Sequence, residues 1–197
     1  MKIYILRHED RPQDCSFFSP LTKTGLENAN KLVEVVKTLC INTVISSPFI
    51  RTLQTIYPYC KATNTKINLE YGLSEIHHPD IIAKKAVGMT IPEYLAEAFH
   101  YNPDYKSIVK VEDITYPEND IQPVKKRLYV VLRDLIKKYH RENVNILLVT
   151  HQSLCTESLR IAKKNKNVSI PNDVMQDYKK GKLCLLFDNG WAFKEIN

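Results

Sequence analysis

The chain has 197 residues, 44% of them hydrophobic and 25% charged, enough to bury the core of one α/β domain, and it carries no repeat or low-complexity tract that would argue for disorder. A formal net charge of +6 favours acidic partners, while the lack of aromatics interleaved with Lys163, Lys164 and Lys166 or with Lys179, Lys180 and Lys182 argues against nucleic acid. Five cysteines without Cys-x-x-Cys spacing argue against a disulfide framework and a zinc site, and no apolar run is long enough for a membrane span or a signal-peptide core, so a cytoplasmic protein with reduced thiols is expected.

The chain opens with Ile3-Tyr4-Ile5-Leu6, apolar without alternation, as in a strand covered on both faces of a parallel sheet. It runs straight into Arg7 and His8, with Arg11 close behind. Pro12 to Pro20 has no periodicity and reads as a loop over that point, which Phe17 and Phe18 could line or cover. Thr24-x-x-Glu27 fits a capping box, followed by Leu26, Ala29, Val33, Val36 and Cys40 at helical spacing. Thr43-Val44-Ile45-Ser46 reads as a second strand. Ser47 and Pro48 then supply an N-cap and a first helical residue, which puts Arg51 in a helix's first turn, where free N–H groups already favour an anion. Pro58 is expected to end or kink that helix.

Ile67-Asn68-Leu69 suggests a third strand leading into Leu73-Ser74-Glu75. His77 and His78 follow; in extended backbone they point to opposite faces, so joint chelation of a metal is not expected, and each is either a substrate contact or an ordinary loop position. Residues 80 to 117 carry little pattern beyond Thr90-x-x-Glu93 with Pro92, a second capping signature ahead of Tyr94, Leu95, Ala98 and Phe99. From about Glu118 a helical stripe returns as Ile121, Val124, Leu128, Val131 and Leu135. Val144 to Val149 is another apolar strand, and it too ends in histidine, in Thr150-His151-Gln152-Ser153. A helix from about Ser153 to Lys163, with Leu154, Ser158 and Ile161 on one side, continues the strand–helix alternation of an α/β fold. Leu183 to Phe187, the turn Asp188-Asn189-Gly190, and Trp191 to Phe193 complete the chain as a hairpin at one edge of the sheet.

Two apolar strands that end in histidine, one of them beside an arginine, point to phosphoryl chemistry. Ligands of parallel sheets gather at the strands' carboxyl ends; arginine offers a planar fork to phosphate oxygens, and a neutral imidazole can attack phosphorus. Leu6-Arg7-His8, Leu21-Thr22 with Gly25, Ser47-Pro48 with Arg51 and Thr55, Leu73-Ser74-Glu75, and Val149-Thr150-His151 stand in the order found in the histidine phosphatase superfamily, also called the phosphoglycerate mutase-like family. The chain resembles that family, branch 1, from residue 3 to about residue 160.

The resemblance implies a three-layer α/β/α fold with a mostly parallel central sheet, formed by residues 1–197 as a single domain with a variable, specificity-shaping insertion around 76–117. It implies a metal-independent phosphomonoesterase without a cofactor. His8 would become a phosphohistidine, Arg7, Arg51 and His151 would hold the phosphoryl oxygens, and Glu75 would protonate the leaving group. Arg11, in Arg-His-x-x-Arg spacing, would add a phosphate or substrate contact. The expected partner is a phosphorylated small molecule or a phosphoprotein. Glu9 and Gln152 occupy positions where the family has glycine. They keep open a silent phospholigand-binding or scaffold protein, while a phosphoglycerate mutase-type phosphotransferase is the rival within the family. Glu75 itself is open between proton donor and exposed loop residue.

Overall fold

A computed structural model describes residues 1–14, 16–79, 93–164 and 168–197. Six strands form one sheet in the order β3-β2-β4-β1-β5-β6. They are β1 (Lys2–Arg7), β2 (Thr43–Ser46), β3 (Ile67–Leu69), β4 (Asn145–Thr150), β5 (Leu183–Asp188) and β6 (Trp191–Glu195). The helices are α1 (Lys23–Lys37), α2 (Ile50–Thr63), α3 (Glu93–Ala98), α4 (Gln122–Tyr139), α5 (Gln152–Lys163) and α6 (Asn172–Gln176). β1 through β4 run parallel, and β5 and β6 turn back antiparallel at one edge.

Alternate residues of β1 and β4 feed two cores, one on each face of the sheet. Ile3, Ile5, Ile146 and Leu148 pack with Leu128, Val131 and Leu132 of α4 and Leu154 and Leu159 of α5. Tyr4, Leu6, Leu147 and Val149 pack with Leu32 and Val36 of α1 and Leu53 and Ile56 of α2. This is the three-layer α/β/α arrangement that the strand–helix order implies. A fully buried aliphatic side chain is worth about 1.5–3 kcal/mol over its exposed state, so the unbroken apolar runs of β1 and β4 fix these two strands at the centre of the sheet.

β1 lies between a parallel partner, β4, and an antiparallel one, β5, within the mostly parallel sheet expected, while other local expectations differ from the structure. The N-cap of α1 is Thr22, whose Oγ1 accepts from the Gly25 amide at 3.0 Å, not Thr24. The buried face of α1 is Gly25, Ala29, Leu32 and Val36, while Leu26 is 42% exposed and Cys40 lies beyond the helix's end at Lys37. α2 begins at Ile50 after Phe49, without a side-chain capping hydrogen bond, so Ser47 and Pro48 both precede it; Ser47 Oγ lies 2.8 Å from His151 Nε2 and accepts from the Phe49 amide at 3.5 Å, and the helix continues through Pro58 to Thr63. Burial of Leu53, Ile56, Tyr59 and Cys60 outweighs the hydrogen bond that Pro58 forfeits. α4 begins at Gln122, four residues after Glu118, which is buried but outside the helix. In the signature at Thr90-x-x-Glu93, Thr90 and Pro92 lie outside the described residues, as do Cys15 and Lys166. Among the described residues, no helix is long and apolar enough to cross a membrane.

Candidate active site

Parallel pairing of β1 with β4 sets Arg7 opposite Thr150, and the His8 amide donates to the Thr150 carbonyl at 2.9 Å. The histidines that end the two strands therefore meet at one edge of the sheet, with ring centroids 5.3 Å apart and an interplanar angle of 65°. Both rings are buried, His8 at 2% exposure and His151 at 0%. His8 Nδ1 lies 2.7 Å from the backbone carbonyl of Glu9. A carbonyl only accepts, so Nδ1 carries the proton and the neutral ring presents its lone pair at Nε2. His151 Nε2 lies 2.8 Å from Ser47 Oγ, and its Nδ1 lies 3.7 Å from Glu75 Oε2. Phe49 packs edge-on against the His151 ring at 4.8 Å and leads on to Phe17, which is buried, while Phe18 is exposed.

Three arginines bear on this pair. Arg51, fully buried in the first turn of α2, donates to the Ser16 carbonyl at 3.0 Å and lies 4.5 Å over the Phe49 ring. Arg7 donates to the Tyr178 carbonyl at 2.6 Å, and its buried Nε has no hydrogen-bond partner. Arg11 donates to the carbonyls of Pro12 at 2.7 Å and Asp14 at 2.8 Å, which ties it to the loop. Burial first, then Arg51, and then Arg7 and Arg11 push His8 well below the ordinary imidazole range, against the opposing pull of the Glu9 carbonyl. Burial and Arg51 also lead the causes that lower His151. Burial lowers Arg7. Converging cations that hold two histidines neutral, beside a buried Arg7 Nε and a His151 Nδ1 that lack hydrogen-bond partners, suit an anion with several acceptor oxygens.

Glu75 follows a short 3-10 turn, Tyr71–Leu73, and stands beside His151 with its side chain 12% exposed. Its Oε1 accepts from the Ile76 amide at 3.0 Å and from the Ser153 hydroxyl. Glu70, fully buried ahead of the turn, accepts from Gly72 N, Tyr105 Oη, Ser107 Oγ, Ile108 N and Val109 N, all within 3.0 Å. Beyond Glu75 the chain meets Arg127 and Glu118, a buried pair joined at 3.1 Å. Sequence reading did not single out Glu70, Glu118, Arg127 or Ser153. The one available signal was Arg127 itself, a charge three residues after Val124 and four before Val131 on an otherwise apolar stripe.

Glu9 and Gln152, which follow the two histidines, turn to the segment after α6. Glu9 is 6% exposed, accepts from Asn28 at 3.5 Å, and packs so closely on Gly181 that a Cβ there would stand 2.0 Å from Glu9 Oε1. Burial raises the Glu9 carboxyl. Gly181, at φ +69°, donates its amide to the carbonyls of Arg7 at 3.2 Å and His8 at 3.3 Å. Gln152 donates to Asp177 at 3.2 Å. Among the described residues, no three His, Cys, Asp or Glu side chains stand together as a metal cluster. His77 is buried and His78 half-buried.

A family model for the histidine phosphatase superfamily (branch 1) matches residues 9–197, and the chain belongs to that superfamily. Among curated proteins, none matches it in sequence. Of solved structures, it is similar to the ecdysone phosphate phosphatase of Bombyx mori in complex with tungstate, at 15% identity and a TM-score of 0.74, covering 98% of this chain and 91% of that one. It is also similar to YhfR of Bacillus stearothermophilus, at 18% identity and a TM-score of 0.68, covering 98% and 94%. A phosphoserine phosphatase variant from Entamoeba histolytica in complex with phosphoserine matches at 18% identity and a TM-score of 0.62, covering 100% and 96%. These likenesses establish the phosphoglycerate mutase-like α/β fold.

Proposed function

We propose that the protein is a phosphomonoesterase that works through a phosphohistidine on His8, without a metal or other cofactor. One observation carries the reading: a buried imidazole whose Nδ1 is committed to the Glu9 carbonyl and whose charge is suppressed by burial and Arg51, leaving Nε2 as the nucleophile. Two structurally similar proteins described above, the ecdysone phosphate phosphatase and the phosphoserine phosphatase variant bound to phosphoserine, support it. The Nε2 lone pair forms the N–P bond as the ester P–O bond breaks, and the departing oxygen takes a proton from Glu75. Glu75 then removes a proton from water, whose oxygen attacks phosphorus and releases His8 and inorganic phosphate. Arg7, Arg51 and His151 hold the oxygens of the transferring group, with Arg11 at the loop side, so that placement and electrostatics supply most of the acceleration.

In this reading residues 1–197 act as one cytoplasmic domain, and the segment around 76–117 selects a phosphorylated small molecule or phosphoprotein. The test is hydrolysis of p-nitrophenyl phosphate from mildly acidic to neutral pH, with chelator present, by wild type and His8→Ala. The wild type turns over in chelator, and His8→Ala lowers kcat by ~10³-fold or more. Thermal stabilisation by inorganic phosphate without any turnover would replace this reading with a silent phospholigand-binding protein. Conversion of 3-phosphoglycerate to 2-phosphoglycerate would replace it with a mutase.

A further inference from the structure

Glu75 sits in backbone without regular structure, yet a general acid has to be held close to one geometry. What holds this stretch is a charge pair outside the phosphate cradle. Arg127 Nη1 donates to the carbonyls of Gly72 at 2.8 Å and Ser74 at 2.6 Å, and Nη2 donates to that of Glu75 at 3.0 Å. Its Nε donates to Glu118 Oε1 at 3.1 Å, and Nη2 reaches Oε2 at 3.2 Å. Glu118 grips the far side: Oε2 accepts the His77 amide at 2.8 Å, and its own amide donates to the His77 carbonyl at 2.9 Å. The backbone is thus clamped before, at and after Glu75.

Both members of the pair are buried, Arg127 at 6% exposure and Glu118 at 1%. Buried ion pairs are often no better for stability than well-packed apolar residues, so this one calls for a role beyond cohesion. Only a planar guanidinium can direct separate N–H groups at three carbonyls and a carboxylate at once; a lysine ammonium cannot span them.

We propose that Arg127, locked by Glu118, is the positioning residue that sets where the Glu75 carboxyl stands relative to the leaving oxygen. This rests on the reading of Glu75 as the proton donor. The test compares kcat/KM for phenyl phosphate, whose leaving group needs a proton, with that for 2,4-dinitrophenyl phosphate, whose leaving group does not, in wild type, Arg127→Lys, Glu118→Gln and Glu75→Gln. The ratio reads out proton donation, which general loss of structure would not move selectively. Arg127→Lys is expected to lower the phenyl phosphate value by ~10- to 100-fold and the dinitrophenyl value by less than ~3-fold, with inhibition by inorganic phosphate unchanged. Glu118→Gln gives a smaller selective loss and decides the matter if Arg127→Lys fails to fold. Equal losses on both substrates, or none, with Glu75→Gln selective, would overturn the positioning role and leave the Glu75 reading intact. A Glu75→Gln variant without selectivity would remove that reading and this proposal with it.

Discussion

At the level of single residues, burial and a neighbouring arginine disfavour the charged form of both histidines in the candidate site. His8 and His151 are buried beside Arg51, so each gives up its proton more readily than imidazole in water. The acid limb of kcat/KM, corrected for the substrate phosphate's own second ionisation near pH ~6, should therefore lie below the ordinary imidazole value of 6.5. A limb at or above that value would mean that His8 is not held neutral. His77, buried and close to Arg127, is lowered to about 4, first by burial and then by Arg127. Its depressed value means that the unfolded chain binds a proton the folded chain refuses. Stability from this group is therefore complete above pH 6.5 and is lost as pH falls toward about 4, on the order of 3 kcal/mol in all. Denaturant midpoints measured down this range should decline, and His77→Phe should flatten the decline.

At the level of elements, strand ends bring the two histidines together and a neighbouring segment secures them. Parallel β1 and β4 place their histidines together only because their register aligns Arg7 with Thr150. The 177–182 segment then folds over this end: Tyr178 accepts from Arg7, Gly181 donates to the carbonyls of Arg7 and His8, and Lys180 pairs with Asp10. Gly181 is essential to that contact, being at φ +69° with no room for a Cβ beside Glu9. Gly181→Ala should cost about 1–3 kcal/mol from backbone strain alone, read as a shift in denaturant midpoint. Adding Glu9→Ala should recover the part due to the clash and leave the strain. Full recovery would place the whole effect in the side-chain contact.

At the level of the whole molecule, the chain carries a net charge of +6, and Arg7, Arg11 and Arg51 act electrostatically on His8 in the proposed phosphate site. Phosphorylated substrates should be drawn in over a range set by salt, because the screening length shrinks from about 10 Å at 0.1 M to about 3 Å at 1 M. KM for p-nitrophenyl phosphate should rise ~2- to 5-fold across that range with kcat little changed. A KM indifferent to salt would locate recognition wholly in contacts within the pocket.

Local pattern determined much of this protein. The apolar runs of β1 and β4, the stripe of α4 and the closing hairpin were legible because burial imposes periodicity on sequence, and the meeting of His8 with His151 could be anticipated because both follow strands of one parallel sheet. Helix starts were read less well. Ser47 has the side chain of a good cap, but α2 begins three residues further on, at Ile50, and Ser47 meets His151, which lies 104 positions away in the chain. Only the tertiary structure decided that Glu9 packs on Gly181, that Arg127 and Glu118 clamp the backbone around Glu75, and that Glu70 gathers the amides of residues 108 and 109. Each of these is a charged group whose meaning lies in partners distant in sequence. A buried charge is tolerated only where the fold brings such partners to it, and one-dimensional patterning carries no record of them.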